Sequence, residues 1–264
     1  MDEKLRELVS DLLKKGEVDA VLSLRAFEGC VAPHLFTSAE EVEDLVSSPK
    51  YPIGLIIPVL QDEYPEAKLG VVVRGCEERS FIELAKRGQL DLDKLVLIGL
   101  ACTSEEADEC KCDRPYPTKI DIGEKVEGVT NPEIDRLSEM EMEERLEYWA
   151  DQFNKCIKCY GCKNACPLCN CESCILEEKE WVKTGGNIPP EFPTFHLIRA
   201  YHSADRCVDC KECERACPAH IPLTTLYGMI RKDMQELFGY RAGEDVKKKP
   251  PLITVLEDSA LEEA

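Results

Sequence analysis

An α/β domain with a mostly parallel sheet, followed by an α-rich domain dense in cysteine, is the fold class this 264-residue sequence predicts. Three observations carry it. Short β-rich runs alternate with helical patterns in the first half, a charged helical stretch follows, and the second half holds two copies of one cysteine pattern. An apolar content of 44% is enough for a buried core.

In order along the chain, "LRELVSDLLKK" before Gly16 has helical spacing and a glycine stop, and "DAVLSL" (19–24) reads as a strand. Ser38-Ala-Glu-Glu41 has the form of a capping box, and the apolar spacing behind it predicts a helix over 39–47. "LGVVVR" (69–74) and "KLVLIGLA" (94–101) read as further strands, separated by the helix "ERSFIELAKR" that closes at Gly88. Strands separated by helices imply crossover connections and a mostly parallel sheet covered on both faces. This assigns 1–130 to the α/β domain. Asn131-Pro132 is a helix start, and "EIDRLSEMEMEERLEYWADQF" makes 131–155 a helical connector whose acidic residues have the spacing of a solvated face. Residues 156–240 form the cysteine domain, with an insert at 167–206, and 241–264 read as a tail that docks on a neighbour or frays.

Composition narrows the function. The charge of −19 disfavours a nucleic-acid partner, because binding to phosphate backbones is driven by lysine and arginine. No stretch reaches the roughly 18 consecutive apolar residues of a membrane span. The charged N-terminus "MDEKLRELVSDLLKKG" has no export pattern, so a cytoplasmic protein is expected, with thiols rather than disulfides among its 16 cysteines.

"CIKCYGCKNACP" (156–167) and "CVDCKECERACP" (207–218) share the spacing C-x2-C-x2-C-x3-C-P. Three thiolates spaced by two residues can wrap one face of a cubane [4Fe–4S] cluster, and a distant fourth must close the other. Structural zinc, which commonly pairs two C-x2-C knuckles, is the competing chemistry. Both runs resemble the two-cluster bacterial ferredoxins, in which the fourth cysteine of each run serves the other run's cluster. That resemblance implies a ferredoxin-like fold holding two [4Fe–4S] clusters. It assigns Cys156, Cys159, Cys162 and Cys217 to the first, and Cys207, Cys210, Cys213 and Cys166 to the second.

The insert departs from that pattern. It opens with Cys169, Cys171 and Cys174, which could supply three ligands of a further centre, with Cys30, a histidine or a partner group as the fourth; free thiols or a zinc clip are the alternative. His196 and His202 are six residues apart, hence on different helical faces, and read as core or surface histidines. In the α/β domain, Cys76 and Cys102 follow strands, at the edge where such sheets place ligands, and Cys110 and Cys112 come shortly after. The four are candidate ligands of a third cluster, against the alternative of buried cysteines acting as small apolar residues. At least two clusters are expected, three if these four ligate, four if the insert does too.

"LLKKGEVDAVLSLR", "TSAEEVEDLVSSPKYP", "LGVVVRGCEERSFIELAKR" and "KLVLIGLAC" resemble the beta subunits of coenzyme F-420-reducing hydrogenases and F-420-linked formate dehydrogenases, over about residues 10–120. The resemblance implies electron traffic between a catalytic partner, iron–sulfur clusters and a flavin facing the deazaflavin coenzyme. After Cys112 little room remains for the flavin-holding portion of full-length members, and no G-x-G-x-x-G follows a strand, so FAD is not favoured.

The expected function is therefore an iron–sulfur electron-transfer subunit of an anaerobic oxidoreductase complex, of hydrogenase, formate dehydrogenase or heterodisulfide-reductase type. It would relay single electrons between a catalytic subunit and another carrier, at low potentials favoured by acidic surroundings. The alternative is a flavin-containing diaphorase subunit acting on coenzyme F-420 or a nicotinamide. With no acid–base dyad, nucleophile constellation or phosphate loop in the sequence, catalysis is assigned to the partner.

Overall fold

The computed structural model describes residues 1–171, 173–178, 180–183 and 188–252. It divides into two compact units, Met1–Thr130 and Asn131–Ala264.

The first unit opens with α1 (Asp2–Lys15), closed by Gly16 in the left-handed conformation at φ 66°, which glycine adopts without a Cβ penalty. Strand β1 (Ala20–Phe27) turns through Glu28 and Gly29, both at positive φ, into the antiparallel β2 (Cys30–Phe36). Two positive-φ residues are what a tight hairpin turn requires. The helix expected over 39–47 does not form. Glu41–Asp44 makes a single 3₁₀ turn, and Leu45–Val46 form a short strand, β3, paired antiparallel to β1. The apolar spacing that suggested a helix is satisfied by this turn, which already buries Val42 and delivers Leu45 to the core.

Helix α2 (Ile57–Glu63) leads to β4 (Leu69–Val73), then α3 (Gly75–Lys86), β5 (Leu95–Gly99) and α4 (Ser104–Cys110). β1, β4 and β5 are parallel neighbours, in the sheet order β2-β1-β4-β5, with β3 beside β1. The sheet is thus mixed, a parallel centre with antiparallel additions. β4 is buried at all five positions, the signature of a strand covered on both faces. Leu5 and Val9 of α1 pack with Val21, Phe36, Val72 and Ile98 as one core.

In the second unit, α5 (Pro132–Glu139) and α6 (Met142–Phe153) divide the expected connector helix at Met140, whose backbone is extended. Asn131 caps α5, its Oδ1 accepting from the Glu133 amide at 3.1 Å. Then come α7 (Gly161–Asn164), α8 (Thr194–Ser203), α9 (Glu212–Arg215) and α10 (Leu223–Phe238). Leu137, Trp149, Phe153, Phe195, Ile221 and Tyr227 build the core, and Cys156, Cys162, Cys213 and Cys217 belong to it. The tail is described to residue 252; the rest of it lies outside the described residues. Among the described residues no helix is long and apolar enough to cross a membrane.

Candidate functional site

The two cysteine runs repeat in backbone as well as in sequence. Lys158 and Tyr160 lie at positive φ, and so do Asp209 and Lys211 at the equivalent positions, the residues on either side of each run's second cysteine. In each run a left-handed residue starts a four-residue helix: Tyr160 precedes α7 and Lys211 precedes α9. The Cys166 amide donates to the Lys163 carbonyl at 3.2 Å, and the Cys217 amide to the Glu214 carbonyl at 3.0 Å. Left-handed backbone costs about 1 kcal/mol or more per non-glycine residue, so its use twice in matched places marks a shape the site demands. Alternating left- and right-handed residues turn successive amides to one side, and the amides of Lys158 and Gly161 lie 3.4 and 3.5 Å from the sulfurs of Cys156 and Cys159. Helices α7 and α9 pack on each other, and a Cβ on Gly161 would stand 2.8 Å from the Ala216 carbonyl oxygen.

Burial, then the nearby thiols of Cys162, Cys217 and Cys159, raise the Cys156 thiol above its ordinary value. Burial raises Cys162 likewise, with Cys159 and Cys217 again among its neighbours. Cys213 is raised by burial and by Cys210 and Cys207, and Cys210 is also among the neighbours that raise Cys166. Each run's last cysteine therefore has electrostatic neighbours in the other run. Cys166, Cys207, Cys210 and Cys213 line a single cavity with Arg199, Arg206 and Tyr227.

In the insert, Cys169 is held by Arg199, whose Nη1 donates to its Sγ at 2.9 Å, and a hydrogen bond from Cys166 lowers its pKa. Cys171 is exposed, and Cys174 packs against the core. Cys30 lies exposed at the start of β2, in the other unit. His196 is buried between Phe153 and Phe195, with ring centroids 4.2 and 5.1 Å away, and burial lowers its pKa to about 4; His202 is exposed.

In the first unit, Cys76 is the second residue of α3, just beyond β4, and Cys102 lies three residues beyond β5. Burial, Cys76 and, more weakly, Cys112 push the Cys102 thiol up to about 12. Cys110 ends α4, and Lys111, at φ 46°, turns the chain into the buried Cys112. Two glycines make room for the segment that carries these residues back across the strand ends. A Cβ on Gly75 would lie 2.1 Å from the Tyr116 carbonyl oxygen, and one on Gly99 would lie 1.8 Å from that of Lys119. Arg74 ties the strand ends together, donating from Nη2 to Glu106 Oε1 at 2.7 Å and to the Ser47 carbonyl at 2.9 Å.

Two buried arginines, Arg74 and Arg199, were not among the candidate residues. Arg199 stands in "FHLIRAYHSAD", where i, i+3 spacing puts it on the same helical face as His196, but nothing in the sequence says that this face is the buried one. Among the described residues no three His, Cys, Asp or Glu side chains close on one single-ion position. A [4Fe–4S] cube is wider than one ion, and its thiolates stand correspondingly farther apart.

No family model matches the chain. It is 36% identical over 148 residues to the F420-dependent formate dehydrogenase subunit beta of Methanocaldococcus jannaschii, a match covering 55% of this chain and 38% of that relative. It is 28% identical over 355 aligned positions to the F420-dependent formate dehydrogenase 1 subunit beta of Methanococcus maripaludis, covering 91% of this chain and 90% of the relative. This chain is similar to those beta subunits. The second alignment is longer than the chain itself, so that relative has long internal stretches without a counterpart here.

Proposed function

We propose that this chain is an iron–sulfur electron-transfer subunit of an oxidoreductase complex of the formate dehydrogenase kind, relaying single electrons between a catalytic partner and another carrier. The observation that carries the reading is the cavity lined by Cys166, Cys207, Cys210 and Cys213, three thiols from one run and one from the other. The similarity to formate dehydrogenase beta subunits supports it independently. All-sulfur donors from two interlocked runs fit a soft iron–sulfur centre, and the buried, unpartnered Arg199 Nε in the cavity wall fits an anionic occupant.

In this reading Cys156, Cys159, Cys162 and Cys217 hold one [4Fe–4S] cluster, and Cys207, Cys210, Cys213 and Cys166 hold the other. The clusters, when bound, supply one-electron storage. The chain's own work is positional: α7 against α9 keeps the two sets adjacent, and the Lys158 and Gly161 amides direct positive dipole toward thiolate sulfur. Cys76, Cys102, Cys110 and Cys112 are proposed as a third centre, on the strength of the buried Cys76 and Cys112 beside Cys102.

Iron, acid-labile sulfide, zinc and flavin per chain, measured on anaerobically purified protein, test this. About 8 irons confine the chemistry to the paired runs, and about 12 add the first-unit centre. Zinc without sulfide refutes the reading, and stoichiometric flavin moves the chain to the diaphorase class.

A further inference from the structure

We infer that Arg199 is a positioning residue that supplies the counter-charge of the paired clusters and raises the reduction potential of the one in the cavity. The inference rests on the iron–sulfur reading above. Arg199 belongs to α8, inside the stretch that separates the two runs, and is 4% exposed. Its Nη2 donates to the Cys162 carbonyl at 2.5 Å and its Nη1 to Cys169 Sγ at 2.9 Å; its guanidinium lies 5.9 Å from the Tyr227 ring centroid. Its Nε has no hydrogen-bond partner.

The other cations lining the cavity have carboxylates. Lys211 is 2.8 Å from Asp209, which also pairs with Arg231 at 3.0 Å, and Arg206 lies 3.8 Å from Asp205. Arg199 has none among the described residues. A guanidinium withdrawn from water without an anion is costly, because its lost hydration is not replaced. The Cys162 carbonyl, the Tyr227 ring and the Cys169 sulfur, whose pKa the Cys166 hydrogen bond and then Arg199 lower to about 5, return part of that loss. The rest requires negative charge, and the four thiols that share the cavity wall with Arg199 indicate its source.

A cubane held by four thiolates is anionic and gains one more negative charge on reduction. A fixed cation beside it stabilises the reduced form more than the oxidised one, and the effect is large where water is excluded. Arginine suits the position because its rigid fork reaches two acceptors at once. One arm fixes a carbonyl in the first run and the other fixes Cys169 in the insert, leaving the charge itself between the two sets of thiols.

The test is a redox titration, followed by electron paramagnetic resonance, of the full-length protein and its Arg199→Gln and Arg199→Lys variants, with iron and sulfide counted for each. Arg199→Gln is expected to keep its iron and weaken reduction of one cluster at least tenfold, about 59 mV for a one-electron couple. Arg199→Lys, with the charge but not the fork, shifts it by less. Unchanged midpoints in an iron-loaded Arg199→Gln protein, or an equal shift in both variants, overturn the inference. If Arg199→Gln loses iron, a loaded Arg199→Lys protein supports the role of charge, and loss of iron from both overturns it. Absence of iron and sulfide from the wild type is a different result, the failure of the iron–sulfur reading itself.

Discussion

Pairs of cysteine substitutions distinguish interlocked sets from separate ones. In the interlocked arrangement, Cys166 and Cys210 serve one cluster, whereas Cys159 and Cys166 serve two although they belong to the same run. Two observations support that proposed grouping: Cys166 and Cys210 line the same cavity, while Cys156 and Cys162 have Cys217 among their neighbours. The magnitude follows from counting irons. Each single Cys→Ala substitution removes one of four thiolates and costs about 4 irons. Cys166→Ala with Cys210→Ala is therefore expected to lose no more than either alone, about 4, whereas Cys159→Ala with Cys166→Ala loses about 8. Iron and sulfide analysis of anaerobically purified variants reads this directly, with circular dichroism reporting whether the helices persist. The opposite pattern, about 4 irons lost from the same-run pair and about 8 from Cys166 with Cys210, would refute the interlocked assignment.

Gly161→Ala forces α7 and α9 apart at the Ala216 carbonyl and should cost about 1–3 kcal/mol, read as a lower melting midpoint with faster cluster loss in air. His196→Phe should flatten the acid limb of stability. The histidine's folded value of about 4 lies below its ordinary 6.5, so the unfolded chain takes up the proton first, and stability falls as pH drops through that interval. By pH 5 the wild type should have lost up to about 2 kcal/mol relative to the variant, and equal melting-point shifts between pH 7 and 5 would exclude this. Glu106→Ala leaves the buried Arg74 with the Ser47 carbonyl but without its carboxylate at 2.7 Å and should cost about 1–3 kcal/mol, whereas Glu106→Gln, which keeps a hydrogen-bond acceptor, should cost less; equal melting points would refute the role of the pair. In Gly99→Ala the new methyl would overlap the Lys119 carbonyl, so the return segment must move, and Cys102 and Cys112 should label faster with a thiol reagent.

The parallel centre of the sheet was legible because β4 and β5 are unbroken apolar runs, the pattern that burial on both faces imposes. β2 was not, because "CVAPHLF" contains a proline and a histidine and sits half-exposed at the sheet edge, where neither residue is costly. The segment 39–47 misled because apolar residues three apart fit a single turn as well as a helix, and pairing of Leu45 and Val46 with β1 decided between them. At the site, cysteine spacing alone indicated the two runs, while Arg199 lay beyond reach. Whether an arginine is buried among thiols depends on which way α8 faces, and only the folded chain carries that information.

The placement of Cys217 beside Cys156 and Cys162 also has a meaning in time. Cys217 is the last cysteine of the chain, sixty-one positions after the first of its proposed set. A ribosome that has released the whole of the first run has still delivered only three of that set's four thiolates. Under the proposed assignment both sets stay open until the second run emerges, which would make cofactor loading an event of the finished module and leave a prematurely stopped chain unable to close either one.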